Sequence, residues 1–98
     1  MAEISIAEAD QRRGQAQVLD VREDFEVAEG MIPGAIHIPM GELQARLAEL
    51  DPKVPVIAIC RSGNRSARVA DALNGAGFTA DTMGGGMIAW TRAGLPTT

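Results

Sequence analysis

A single cysteine in 98 residues, Cys60, excludes an internal disulfide, and since one histidine and one cysteine cannot supply a closed ligand set, no metal site is expected. Three aromatic residues and a net charge of -4, nine basic side chains against thirteen acidic, exclude a nucleic-acid surface, which needs stacking platforms and a basic field. No apolar run approaches the roughly 20 residues of a membrane span. The opening Met1-Ala2-Glu3-Ile4 lacks a basic n-region followed by an apolar stretch, so no secretory signal is expected. There is no internal repeat and no low-complexity linker. The expectation is one soluble, cytoplasmic domain over residues 1–98, long enough to bury a core without staples and requiring no cofactor.

What the chain does have is concentrated in Cys60 to Ser66, CRSGNRS, between the apolar run Val54-Pro55-Val56-Ile57-Ala58-Ile59 and a helix-like segment from Ala67 to Ala76. That order places a thiol at the end of a strand facing a helix N-terminus, where unpaired N–H groups and the helix dipole favour negative charge. Arg61 and Arg65 bring two cations to the same loop and are expected to hold the thiol below its ordinary pKa. A lone cysteine is often inert packing. Packing cysteines, however, have no need of two arginines, a glycine and two serines in the next six residues, and Cys60 is read as a nucleophile.

From the N-terminus, Ser5-Ile6-Ala7-Glu8 has capping-box spacing and predicts a short helix to about Arg13, stopped by Gly14. Val18-Leu19-Asp20-Val21 reads as a strand, and Glu23 to Glu29 as a short helix with Phe25 and Ala28 three apart. The carboxylates between Asp20 and Glu29 are taken as first-turn acids and a solvated helix face. Asp20 is set apart, because an acid at the end of a parallel strand can pair with a loop arginine. Met31-Ile32-Pro33-Gly34 is a turn and Ala35 to Ile38 a short strand, in which His37 is a satisfied or half-exposed strand residue without an assigned role. Leu43, Leu47 and Leu50 predict an amphipathic helix from Gly41 ending before Pro52. The all-apolar Val54 to Ile59 predicts a central parallel strand. Val69, Ala72, Leu73 and Ala76 are the expected core face of the next helix. Phe78 to Met83 is a further strand, Gly84-Gly85-Gly86 a tight turn, and Met87 to about Arg92 a last helix with Trp90 as core or lid packing. Strands alternating with helices argue an α/β sandwich with its reactive groups at the strand C-termini.

Three segments, DVREDFEVAEGMIPGAIHIP, ICRSGNRSARVADAL and GGGMIAWTRAGLP, resemble the rhodanese homology domain of the sulfurtransferases in its single-domain form, from about Ile4 to Pro96. The resemblance implies a three-layer α/β fold: a five-stranded, mainly parallel sheet flanked by helices on both faces. It implies Cys60 as sulfur acceptor, a loop of Arg61, Ser62, Gly63, Asn64, Arg65 and Ser66 cradling the transferred group, and Asp20 and Arg22 in support. The implied activity is thiosulfate sulfurtransfer through a cysteine persulfide, with a small thiosulfate-like donor and a thiol or cyanide acceptor, or a protein-borne persulfide as partner. Two alternatives stand beside it. Cysteine-dependent phosphatases, and with them arsenate reductases, keep five residues between Cys and Arg, whereas Cys60 and Arg65 are separated by four. A non-enzymatic or persulfide-carrier module is the other. The chain departs from the family at Met31, where many relatives have histidine, and at Ser62, where the two-domain enzymes have a basic residue.

Overall fold

The computed structural model describes residues 2–98; Met1, the first residue of the segment inspected for a signal, lies outside them. Five strands form one sheet in the order β1-β5-β4-β2-β3 with every pairing parallel: β1 (Glu3–Ile4), β2 (Gln17–Asp20), β3 (Ile36–His37), β4 (Val56–Ile59) and β5 (Ala80–Met83). The central position of β4 follows from its composition. All four of its residues are buried, as a strand covered on both faces requires. β1 has only two residues, too few for any periodicity, and is defined by its pairing with Thr82 and Met83.

Helices α1 (Ile6–Arg12) and α4 (Gly86–Arg92) cover one face, where Ile4, Ala9, Ile57, Ile59, Met83, Met87 and Trp90 form a core. Helix α3 (Asn64–Gly75) covers the other, with Leu19, Ile38, Ala58, Val69, Ala70 and Leu73. Ser5 caps α1, its hydroxyl accepting from the Glu8 N–H at 3.0 Å. Trp90 is core: it is fully buried, and its Nε1–H donates to Pro96 O at 2.9 Å, tying down the C-terminal tail.

Three expectations are corrected. The helix expected from Gly41 to Pro52 is two 3-10 turns, Met40–Glu42 and Leu47–Glu49. The segment is shorter than an isolated helix needs and carries Gly41, so tertiary contacts decide its shape. Arg46 sets that shape, with φ -113° outside the helical basin and a guanidinium bound to Glu42, Glu49 and His37 O. Leu43 and Leu50 are buried all the same. In α2 (Asp24–Val27), Phe25 is 74% exposed and Ala28 is exposed, so their spacing does not mark a core face. In α3, Ala72 and Ala76 are exposed, and the buried stripe is Ser66, Val69, Ala70 and Leu73.

Candidate active site

Cys60 directly follows β4, at the C-terminal edge of the sheet and in its middle. The loop after it closes on the sulfur because Gly63, at φ +107°, adopts a left-handed conformation that turns the chain into α3. The Gly63 and Ser66 N–H groups donate to Sγ at 3.1 and 3.3 Å. The thiol in turn donates to Ser66 Oγ at 3.3 Å. Cys60 is 1% exposed and Ser66 0%. Burial pushes the thiol up, but the hydrogen bonds its thiolate form receives from the Ser66 hydroxyl and from the Ser66, Gly63 and Ser62 N–H groups outweigh it, and the thiol rests below its ordinary value. Directed amides hold the sulfur, where the sequence pointed to arginine charge.

The arginines have other partners. Arg65 makes a two-pronged ion pair with Glu26 of α2, Nη1 to Oε1 at 2.7 Å and Nη2 to Oε2 at 2.8 Å. Arg65, aided by the Glu23 N–H hydrogen bond and by Arg22, overrides desolvation and holds the Glu26 carboxyl down at about 2. Arg61 is exposed and pairs with no carboxylate among the described residues. It lines a cavity of about 240 Å³ together with Arg22, Glu26, Glu29, Met87 and Ile88.

Asp20 does not reach a loop arginine. It is fully buried and takes Arg22 instead, with Nε at 3.0 and 3.1 Å, Nη2 at 2.8 Å and the Arg22 N–H at 3.0 Å. Arg22 also donates from Nη1 to Glu26 O and from Nη2 to Gly30 O. The pair thus fixes the chain leaving β2 on to α2, where Glu26 waits for Arg65. His37 is satisfied as expected, its Nε2 lying 2.7 Å from Arg22 O.

Gly86 has a role beyond turning. The first N–H groups of α4 reach the loop, Met87 donating to Cys60 O at 2.9 Å and Ile88 to Arg61 O at 3.1 Å. A Cβ on Gly86 would lie 2.6 Å from Cys60 O and closer still to Arg61 O, so only glycine permits this approach. Met83 and Met87 are both buried in the core beneath.

Residues 5–93 match the Rhodanese-like domain family. The chain belongs to that family. YtwF of Bacillus subtilis is 49% identical over 73 residues, covering 74% of this chain and 71% of its own. A protein of Allochromatium vinosum named a sulfurtransferase is 39% identical over 80 residues, 81% of this chain and 75% of the relative. The crystal structure of a rhodanese-related protein from Thermoplasma volcanium superposes with a TM-score of 0.95 at 33% identity, covering 100% of this chain and 98% of that one.

Within this rhodanese-like frame, Arg65 is committed to Glu26, and the other residues singled out in sequence divide into three groups. Cys60, Gly63 and Ser66 meet at the sulfur. Ser62 and Asn64 have exposed side chains at the mouth, with Arg61 beside them. Asp20 and Arg22 lie beneath as a buried brace. Glu26 and Gly86 were missed: the first was counted with the solvated acids, the second with the turn glycines. Among the described residues no three His, Cys, Asp or Glu side chains gather to hold a metal ion, and no helix is long and apolar enough to cross a membrane.

Proposed function

We propose that this chain moves a sulfane sulfur from thiosulfate or a related donor to a thiol or cyanide, through a persulfide on Cys60. The observation carrying this reading is the convergence of the Gly63 and Ser66 N–H groups on a buried, pKa-lowered sulfur at a helix N-terminus. Cys60 thiolate attacks the outer sulfur of the donor. A new S–S bond forms, the donor's S–S bond breaks, and its electron pair leaves with sulfite. The negative charge now sits on the terminal sulfur, outward of Sγ. Asn64 and Arg65, the first residues of α3, have N–H groups without helical partners and can receive it. The acceptor thiolate or cyanide then attacks that sulfur, the Cys60 bond breaks, and thiolate is restored. Arg61, free and beside the cavity, holds the departing sulfonate end. Arg65 is committed to Glu26 and steadies the loop.

The ring is small. With four residues between Cys60 and Arg65 and two amides already on Sγ, it suits one sulfur atom better than a whole phosphate. The test is the intact mass of the protein before and after thiosulfate, then after cyanide, with Cys60→Ser alongside. A gain of about 32 Da, one sulfur on the cysteine ladder, removed by cyanide and absent in the variant, is expected. No gain with any sulfane donor would exclude the transfer.

A further inference from the structure

Behind Ser66 lies a second hydroxyl that the chemistry above does not use. Thr82 of β5 is 1% exposed, and its Oγ1 stands 2.7 Å from Ser66 Oγ. Ser66 Oγ is also 3.3 Å from Cys60 Sγ and 3.2 Å from Gly63 O. A serine hydroxyl has one hydrogen and two lone pairs, so these three contacts cannot all be donations.

Hydrogen counting decides the direction. Thr82 Oγ1 has no other hydrogen-bond partner among the described residues, so if Ser66 donated to it, the Thr82 hydrogen would be buried without an acceptor. Thr82 therefore donates. In the thiol form, Ser66 Oγ accepts from both Thr82 and the Cys60 S–H, and its own hydrogen goes to Gly63 O. When Cys60 loses its proton to solvent or base, one lone pair on Ser66 Oγ is released. The Ser66 hydrogen then turns from Gly63 O to Sγ. Gly63 O is not orphaned by this, because it also accepts from the Ala67 N–H at 3.2 Å.

Resting on the sulfur-transfer reading, we propose that Thr82 is a positioning residue for the Cys60 nucleophile: by donating to Ser66 Oγ it keeps the single Ser66 hydrogen on the loop side, free to turn between Gly63 O and the sulfur. Once the persulfide forms, charge leaves Sγ and the hydrogen returns to Gly63 O. It swings back to Sγ when Cys60 is expelled as thiolate. Thr82 touches neither donor nor acceptor; it acts through Ser66, and a donor that is itself polarised makes a stronger bond to an anion.

The charged groups on the elements around Cys60 do not account for this. Arg61 is on its own loop. Arg65 on α3 is bound to Glu26 of α2, with Glu23 nearby, and Asp20 of β2 is bound to Arg22. On β5, Asp81 is taken by Arg12, while Arg68 and Arg92 stand on exposed parts of α3 and α4.

The test is the pH profile of Cys60 alkylation by iodoacetamide on the full chain, which reports the thiolate and needs no sulfur donor. Thr82→Val should raise the midpoint by about half a unit, a roughly threefold slower alkylation on its acid side. Thr82→Ser should follow the wild type. In a Ser66→Ala background, Thr82→Val should move the profile no further. Thr82→Ala supplies the same contrast should the valine variant not fold. A Thr82→Val profile superimposed on the wild type would overturn the assignment, as would an equal shift in Thr82→Ser or an undiminished one without Ser66. A shift found in a protein that accepts no sulfur would leave Thr82 in place and remove the transfer; sulfur acceptance with no shift would do the reverse.

Discussion

Two arginine–carboxylate pairs stand at the same edge of the sheet and differ in nearly every respect. Asp20 and Arg22 are two residues apart, both buried, and their bonds close a local frame with Glu26 O and Gly30 O. Glu26 and Arg65 are 39 residues apart, with the arginine side chain 30% exposed, and their bonds cross from α2 to the first turn of α3. The inner pair is a brace, buried, hydrogen-bonded to the backbone and costly to break. The outer pair is a latch on the loop, open to solvent and to a competing anion. Stability and loop order are thereby assigned to separate residues, although Arg22 touches both, its guanidinium bonding Glu26 O.

The comparison can be broken first at the brace. Asp20→Ala leaves the Arg22 guanidinium buried without its carboxylate and should cost about 3–5 kcal/mol, measured by urea unfolding; a loss no larger than that of Glu26→Gln would make the two pairs equivalent. At the latch, Glu26→Gln should cost about 1.5–3 kcal/mol at pH 7 and slow sulfur loading of Cys60 as well. Its acid behaviour sharpens the contrast. The Glu26 pKa is depressed in the fold, so its stabilising contribution is fully present above the ordinary carboxylate value near 4.5 and is lost as pH falls toward about 2. The stability gap between wild type and Glu26→Gln should therefore shrink across that interval in thermal melts, and a constant gap would contradict the pairing. The smallest effect is expected from Ser62→Lys, which adds a cation at the mouth outside both pairs. About 1 kcal/mol of surface attraction should lower the thiosulfate KM roughly fivefold, and an unchanged KM would place the donor elsewhere.

The central strand, the parallel alternation and the place of the cysteine loop at the strand's end were all legible, because each is written in a contiguous run: Val54 to Ile59 in its apolar continuity, CRSGNRS in its composition. What could not be read was who pairs with whom. Asp20 had Arg22, Arg61 and Arg65 within plausible reach, and only the course of the chain out of β2 brings Arg22 back to it. Glu26 lies among other acids and shows no local sign of a partner 39 residues away. The core face of α3 was misjudged for an instructive reason. Positions 66, 69, 70 and 73 follow helical spacing, but Ser66 is polar, and setting it aside shifted the face toward Ala72 and Ala76. A serine on an apolar stripe was the available signal that a buried hydroxyl serves the sulfur.

The contact between α4 and the loop reaches further than packing. A trans peptide is rigid, and its C=O and N–H point in opposite directions. By drawing the Cys60 and Arg61 carbonyls toward Met87 and Ile88, α4 turns the N–H groups of Arg61 and Ser62 the other way. The polarity of these two peptides is thus imposed by residues 27 positions downstream, on a helix whose N–H groups bond the loop's carbonyls and not the sulfur. A chain shortened before Gly84 would keep its cysteine, both arginines and the central strand, yet it would lose this anchor together with the buried Trp90, and the Arg61 and Ser62 amides would no longer be held to one side.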